Sequence, residues 1–272
     1  MARRVQRLDA ELVRRSLARS REQAIELIAA GRVEVRGVLA SKPATGVDMD
    51  TPVRVRPDDN DPGYASRGGH KLAGALAAFG DIDVVGRRCL DAGASTGGFT
   101  DVLLRAGAAH VVAVDVGYGQ LAWPLATDER VSVVDRTNVR TLTPDAIGGP
   151  ASLTVADLSF ISLALVLPAL TACTEPDGDL LPMVKPQFEV GKERLGAGGV
   201  VRDPQLRAEA VRDVATQAAG LGWQTAGVCR SPLPGPSGNV EFFLWLRREV
   251  QHPLDADEIG RLVVAAQERE AP

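Results

Sequence analysis

Two carboxylates and two amines stand where this chain could do acid–base chemistry. Asp157 closes an apolar run in Val155-Ala156-Asp157-Leu158-Ser159-Phe160, and Lys185 closes another in Met183-Val184-Lys185-Pro186. Residues at the carboxyl ends of strands in an open α/β sheet face the ligand crevice. Glu241, in Asn239-Val240-Glu241-Phe242, opens a strand expected to return antiparallel to the same edge, within reach of Lys185. Lys71 lies in a helix that enters the same region. A lysine can take a proton from a poorly nucleophilic hydroxyl if its pKa is lowered. A second cation such as Lys71, or desolvation, would lower it, whereas Asp157 and Glu241 would orient the amines and oppose the shift. Ordinary ion pairs at a sheet edge are the alternative.

A second constellation is Asp91-Ala92-Gly93-Ala94-Ser95-Thr96-Gly97-Gly98-Phe99-Thr100, which joins a strand to a helix. Glycines there let backbone approach a ligand closely. The spacing lacks both G-x-G-x-x-G and the Gly-Lys-Ser/Thr of a phosphate loop, so phosphate binding loses ground. Asp115 ends the next strand, where such folds grip a ribose hydroxyl pair. An adenosine with a phosphate-free tail suggests S-adenosylmethionine. A plain tight turn with a solvent-facing Asp115 is the competing reading.

These residues require a parallel sheet. Strands are expected at Arg87–Asp91, His110–Asp115, Val131–Asp135, Ser152–Asp157, Asp179–Lys185, Trp223–Arg230 and Val240–Leu246. Helical stretches run over Lys71–Phe79, Thr100–Ala106, Leu163–Thr171 and Gln205–Ala219, and the alternation reads as α/β. Ser231–Asn239 is too short for a crossover, so the last strand should run antiparallel to its predecessor.

The chain has 272 residues and a net charge of −4, but residues 1–47 carry ten Arg or Lys against five acids. A basic head of +5 thus precedes a body of about −9. The head reads as two short helices, the second capped by Ser20 and ending at Gly31, then strands at Val33–Val35 and Val53–Val55. Its cations, without aromatic residues to stack on bases, suit phosphate and shape contacts with folded RNA. Glu11, Glu22 and Glu26 could instead pair with several of the arginines. Three scattered cysteines give neither a zinc site nor a disulfide framework, and fit a reducing cytoplasm. The most apolar stretch, Ile161–Leu170, is half a membrane span and holds Pro168, so no membrane span and no metal are expected. Residues 1–57 are expected to form the head, 58–65 a linker, and 66–272 the body.

Taken together, the chain resembles the TlyA, or hemolysin A-like, family of ribosomal RNA ribose 2′-O-methyltransferases. Arg7-Leu8-Asp9, Ala18-Arg19-Ser20-Arg21, Gly31-Arg32-Val33 and Lys42-Pro43 are similar to RNA-binding domains of the ribosomal protein S4 type. Ser66-Arg67-Gly68-Gly69-His70-Lys71-Leu72, the Asp91–Thr100 loop, Asp157-Leu158-Ser159-Phe160-Ile161-Ser162, Val184-Lys185-Pro186-Gln187-Phe188-Glu189 and Pro234–Glu241 carry the rest of the likeness. The resemblance implies a seven-stranded Rossmann-like class I methyltransferase sheet of FtsJ type behind a small α+β RNA-binding domain. It makes Lys71, Asp157, Lys185 and Glu241 a Lys-Asp-Lys-Glu tetrad with Lys185 central. S-adenosylmethionine is placed against Gly93, Ser95, Gly97, Gly98, Phe99, Asp115 and Asp157, with Asn138 where relatives often carry an acid. RNA contacts are expected at Arg4, Arg7, Arg19, Arg21, Lys42 and Arg67. The implied substrate is a cytidine 2′-hydroxyl in ribosomal RNA of the small subunit, the large subunit or both, with a link to antibiotic sensitivity. Two rivals are a nitrogen methyltransferase, which usually has prolines after the fourth-strand acid, and a catalytically idle ribosome-assembly factor. A lytic protein would need an apolar span or a cationic amphipathic helix.

Overall fold

The computed structural model describes residues 5–18, 21–56, 62–235 and 237–268. Arg4, Arg19, Ser20, the last residue of the expected head (57) and residues 58–61 of the expected linker lie outside the described residues. The chain divides into two compact units, Met1–Pro62 and Gly63–Pro272.

In the first unit, helices Leu8–Arg14 and Arg21–Ala29 pack on short antiparallel strands. Val33–Val35 pairs with both Val38–Leu39 and Val53–Val55, and Leu8, Leu12, Ala24, Ile28, Val33 and Val47 fill the small core.

In the second unit the strands are β1 (Arg88–Ala92), β2 (His110–Val114), β3 (Val131–Val134), β4 (Ala151–Ala156), β5 (Thr174–Val184), β6 (Gln224–Arg230) and β7 (Phe242–Arg247). They form one seven-stranded sheet in the order β6-β7-β5-β4-β1-β2-β3. The strands from β1 to β5 pair in parallel, whereas β7 is antiparallel to both β5 and β6. Strands buried on both faces read as near-continuous apolar runs, and alternate residues here serve opposite cores. Leu90, Val112, Leu180 and Leu244 meet helices α3 (Leu167–Ala172), α4 (Pro204–Gly220) and α5 (Ala256–Glu268). Cys89, Leu153, Leu181 and Phe243 meet α1 (Gly68–Phe79) and α2 (Gly98–Arg105). Strand order reverses beside β1, which opens a crevice at the carboxyl edge.

Most elements lie within one to three residues of their sequence-based bounds, and two depart further. The expected helix over Leu163–Thr171 splits into a 3-10 turn, Leu163–Leu165, and α3. Pro168 lacks an N–H and fits only the first turn of a helix, so the helix restarts just before it. Strand β5 begins at Thr174 rather than Asp179, with a register shift against β4 between those two residues. Among the described residues no helix is long and apolar enough to cross a membrane.

Candidate active site

Each member of the expected tetrad reaches the carboxyl edge by a different element. Lys71 sits near the start of α1, Asp157 follows β4, Lys185 follows β5, and Glu241 immediately precedes β7. They meet as two pairs. Lys185 Nζ lies 2.6 Å from Asp157 Oδ1 and donates to Ser159 Oγ at 3.0 Å. Lys71 Nζ lies 2.5 Å from Glu241 Oε2. Glu241 therefore pairs with Lys71 and not with Lys185, because Asp157 occupies the position beside the second amine. Glu241 is 1% exposed and Lys71 8%, so each charge depends on the other in a low-dielectric setting. The second cation expected beside Lys185 is thus balanced, two amines against two carboxylates. Lys185 has two of its three amine directions held by Asp157 and Ser159, which leaves one for a substrate.

Two cavities flank this arrangement. One of about 480 Å³ is lined by Gly93, Ser95, Asp115, Asn138 and Asp157, with Gln120 and Thr137 among the other residues. The other, of about 650 Å³, is lined by Lys185, Glu241, Gln187, Phe188 and Asn239 among others. Ser159, Phe160 and Ile161 line both, so the segment after Asp157 is their common wall. The Lys185–Asp157 pair joins a residue of one cavity to a residue of the other.

The glycine loop is shaped by backbone and packing. Gly93 has φ +89°, and a Cβ there would stand 2.5 Å from the Asp157 carbonyl oxygen. Only glycine lets the loop pass this close to the end of β4. Gly97 has φ +95° and is covered by Leu121 and Leu125, while Gly98 packs against Ser66 and Gly69. Phe99 is buried against Phe243, ring centroids 5.9 Å apart. Gly97, Gly98 and Phe99 accordingly do not line the cavity; they set the turn behind it, since a helix starting this close to α1 must direct those positions into packing. Asp115 Oδ2 accepts from Ser95 N at 2.8 Å and Oδ1 from Gly117 N at 2.7 Å, which holds its carboxylate at the cavity rim. Asn138 does reach the cavity, but its Oδ1 also caps a 3-10 turn by accepting from Arg140 N. Asp91 accepts from the Thr100 hydroxyl, and burial pushes its pKa up to about 7.

In the first unit, Arg7 and Arg21 both bond the buried carboxylate of Asp9, leaving their guanidinium groups half-exposed. Glu11 takes Arg14 and Arg15, as its spacing allowed. Contacts with Arg7 and with Arg14, respectively, hold the Asp9 and Glu11 carboxyls down at about 2. Lys42 is exposed. Arg67 belongs to the second unit, at the N-cap of α1, four residues before Lys71.

Sequence reading did not single out Ser159, Phe160 or Gln187. Phe160 is 91% exposed, has φ +64°, and stands 5.3 Å from the Phe188 ring. An apolar residue between Ser159 and Ile161 gave no sign of being turned outward. Gln187 carries a buried side-chain oxygen without a hydrogen-bond partner among the described residues.

Residues 64–248 match the model of the FtsJ-like methyltransferases, and residues 6–53 match that of the S4 domain. The chain is 64% identical to the 16S/23S rRNA (cytidine-2′-O)-methyltransferase TlyA of Mycobacterium tuberculosis over 94% of each chain. It is 35% identical to the 23S rRNA (cytidine-2′-O)-methyltransferase TlyA of Campylobacter jejuni over 67% of this chain and 70% of that one. A solved structure of a Streptococcus thermophilus protein carrying a hemolysin name superposes with a TM-score of 0.77 at 37% identity, covering 98% of this chain and 97% of that one.

Proposed function

The chain belongs to the FtsJ-like methyltransferase family, and on that footing we propose that it methylates a ribose 2′-hydroxyl of cytidine in ribosomal RNA with S-adenosylmethionine as donor. The observation that carries this reading is the Lys185–Asp157 pair in the wall between two cavities, one sized for each reactant.

The smaller cavity fits the donor by its chemistry. Gly93 admits a ligand against bare backbone, and the fixed Asp115 carboxylate keeps lone pairs free for a ribose hydroxyl pair. Gly93, Ser95, Asp115 and Asn138 would hold it. S-adenosylmethionine, when bound, supplies an electrophilic methyl group on a sulfonium centre.

The larger cavity takes the nucleotide. Once Lys185 has given a proton to solvent, its neutral amine keeps two N–H groups on Asp157 and Ser159, directs its lone pair at the 2′-hydroxyl and takes that proton as the oxygen bonds the methyl group. The buried Lys71–Glu241 pair fixes the far side and keeps the site electrically balanced. A target base must leave its stack to bring its ribose this deep. Phe160 and Phe188 offer it an aromatic face at the cavity rim. Phe160→Ala is expected to lower kcat/KM for RNA by roughly fivefold to 100-fold, the loss of one base–aromatic stack. Steady-state kinetics alongside the donor's Kd check this, and an unchanged kcat/KM removes Phe160 from the substrate contact. In the S4 unit, Arg7, Arg21 and Lys42 meet phosphate, with Asp9 presenting both guanidinium groups. A ribosomal substrate places the protein in the cytoplasm.

The deciding test is transfer of labelled methyl from S-adenosylmethionine to purified unmethylated small and large ribosomal subunits, followed by digestion to nucleosides. A labelled 2′-O-methylcytidine is expected. A base-methylated nucleoside would turn Asp157 to nitrogen chemistry, and no label with donor still bound would favour an assembly factor.

A further inference from the structure

The segment Asp157–Leu163 and the segment Lys185–Glu189 are held together by three successive contacts. The first is the Lys185–Asp157 ion pair at 2.6 Å. The second is the Phe160–Phe188 ring pair at 5.3 Å. The third is Glu189, whose Oε2 accepts the Ser162 hydroxyl at 2.6 Å and whose Oε1 accepts Leu163 N at 2.9 Å. Ser162 Oγ in turn accepts from Ala164 N at 3.2 Å, so the carboxylate also secures the first turn of the helical stretch beyond it. The first contact holds the reacting groups and the second faces the substrate. Glu189 lines neither cavity.

A half-buried carboxylate is costly unless it is hydrogen-bonded, and Glu189 is bonded at both of its oxygens. Burial raises the Glu189 pKa, and its bonds to Ser162 and Leu163 oppose that shift. The wall it secures is under strain. Phe160 occupies the left-handed region, and an aromatic residue there costs about 1–3 kcal/mol and persists only where its surroundings over-determine it. Two residues further on, Glu189 fixes the chain at both a side chain and a backbone amide.

We propose that Glu189 is a positioning residue for methyl transfer: by clasping Ser162 and Leu163 it holds the wall that carries Asp157, Ser159 and Phe160 in register with Lys185 and Phe188. The proposal rests on the methyl-transfer reading above. Misplacement of a catalytic group by about 1 Å can cost on the order of 10²-fold in rate, so loss of the clasp should appear in turnover more than in donor binding, which draws on the Gly93 loop and Asp115.

The test compares the full chain with Glu189→Ala, Glu189→Gln and Ser162→Ala on unmethylated ribosomal subunits, with each kcat normalised to the fraction of protein that binds S-adenosylmethionine. Glu189→Ala is expected to lower normalised kcat at least about tenfold while the donor's Kd stays within about threefold. Glu189→Gln should recover most of that loss, since its amide oxygen can accept from Leu163 N and its amide N–H can donate to Ser162 Oγ. Ser162→Ala removes one of the two bonds and should fall between wild type and Glu189→Ala; it also decides the matter if Glu189→Ala does not fold. A wild-type normalised kcat in Glu189→Ala, or in Ser162→Ala in its absence, overturns the proposal, as does a Glu189→Gln loss equal to that of Glu189→Ala. Failure of the wild-type chain to form a 2′-O-methylnucleoside would instead sink the reaction assignment, so the two failures are distinct.

Discussion

Replacing Lys185 with methionine is expected to reduce methyl transfer by roughly 10²- to 10⁴-fold, the range that a positioned general base contributes, while the donor binds with a Kd within about threefold of wild type. Methionine keeps most of the side-chain volume and removes only the amine. The partner left behind, Asp157, has a side chain 23% exposed at a cavity, so its stranded charge can be solvated. Lys71 would be a poorer first choice, because its loss strands the Glu241 carboxylate, whose side chain is 1% exposed, and breaking a buried pair costs roughly 3–5 kcal/mol. Single-turnover transfer to ribosomal subunits, with donor binding followed by calorimetry, makes the measurement. Full activity in Lys185→Met would remove it as the base and leave the two ion pairs as scaffolding.

Gly93→Ala should have the second large effect, and it should fall on the donor. The new methyl group would meet the Asp157 carbonyl oxygen at 2.5 Å in a backbone conformation with φ +89°. Strain in that region costs about 1–3 kcal/mol, so the loop must move away from the end of β4. The Kd for S-adenosylmethionine is expected to rise at least about tenfold, each factor of ten corresponding to about 1.4 kcal/mol. Turnover at saturating donor should fall as well, since the same movement disturbs Asp157. A Kd equal to wild type, measured by calorimetry on folded protein, would detach this loop from donor binding.

Much of this architecture could be read from residue order because it rests on local rules. The body strands announce themselves as apolar runs because both of their faces are buried. The short Ser231–Asn239 connection ruled out a crossover, and β7 is indeed antiparallel between β5 and β6. That Asp157, Lys185 and Glu241 share one edge was legible, since parallel strands send their carboxyl ends to that edge and an antiparallel last strand begins there. Pairing was beyond such rules. That Glu241 meets Lys71, and Asp157 meets Lys185, depends on the rotation of α1 and on which side chains find room, terms that act, for the first pair, between residues 170 positions apart. The same holds for Gly97, Gly98 and Phe99. Their motif reads as a ligand loop, yet the close approach of α1, Leu121 and Leu125 packs these three residues behind it. Phe160 and Glu189 are the clearest cases. Hydrophobicity predicts burial for the first and charge predicts exposure for the second, and tertiary structure reverses both, turning the ring out to solvent and the carboxylate in toward two donors.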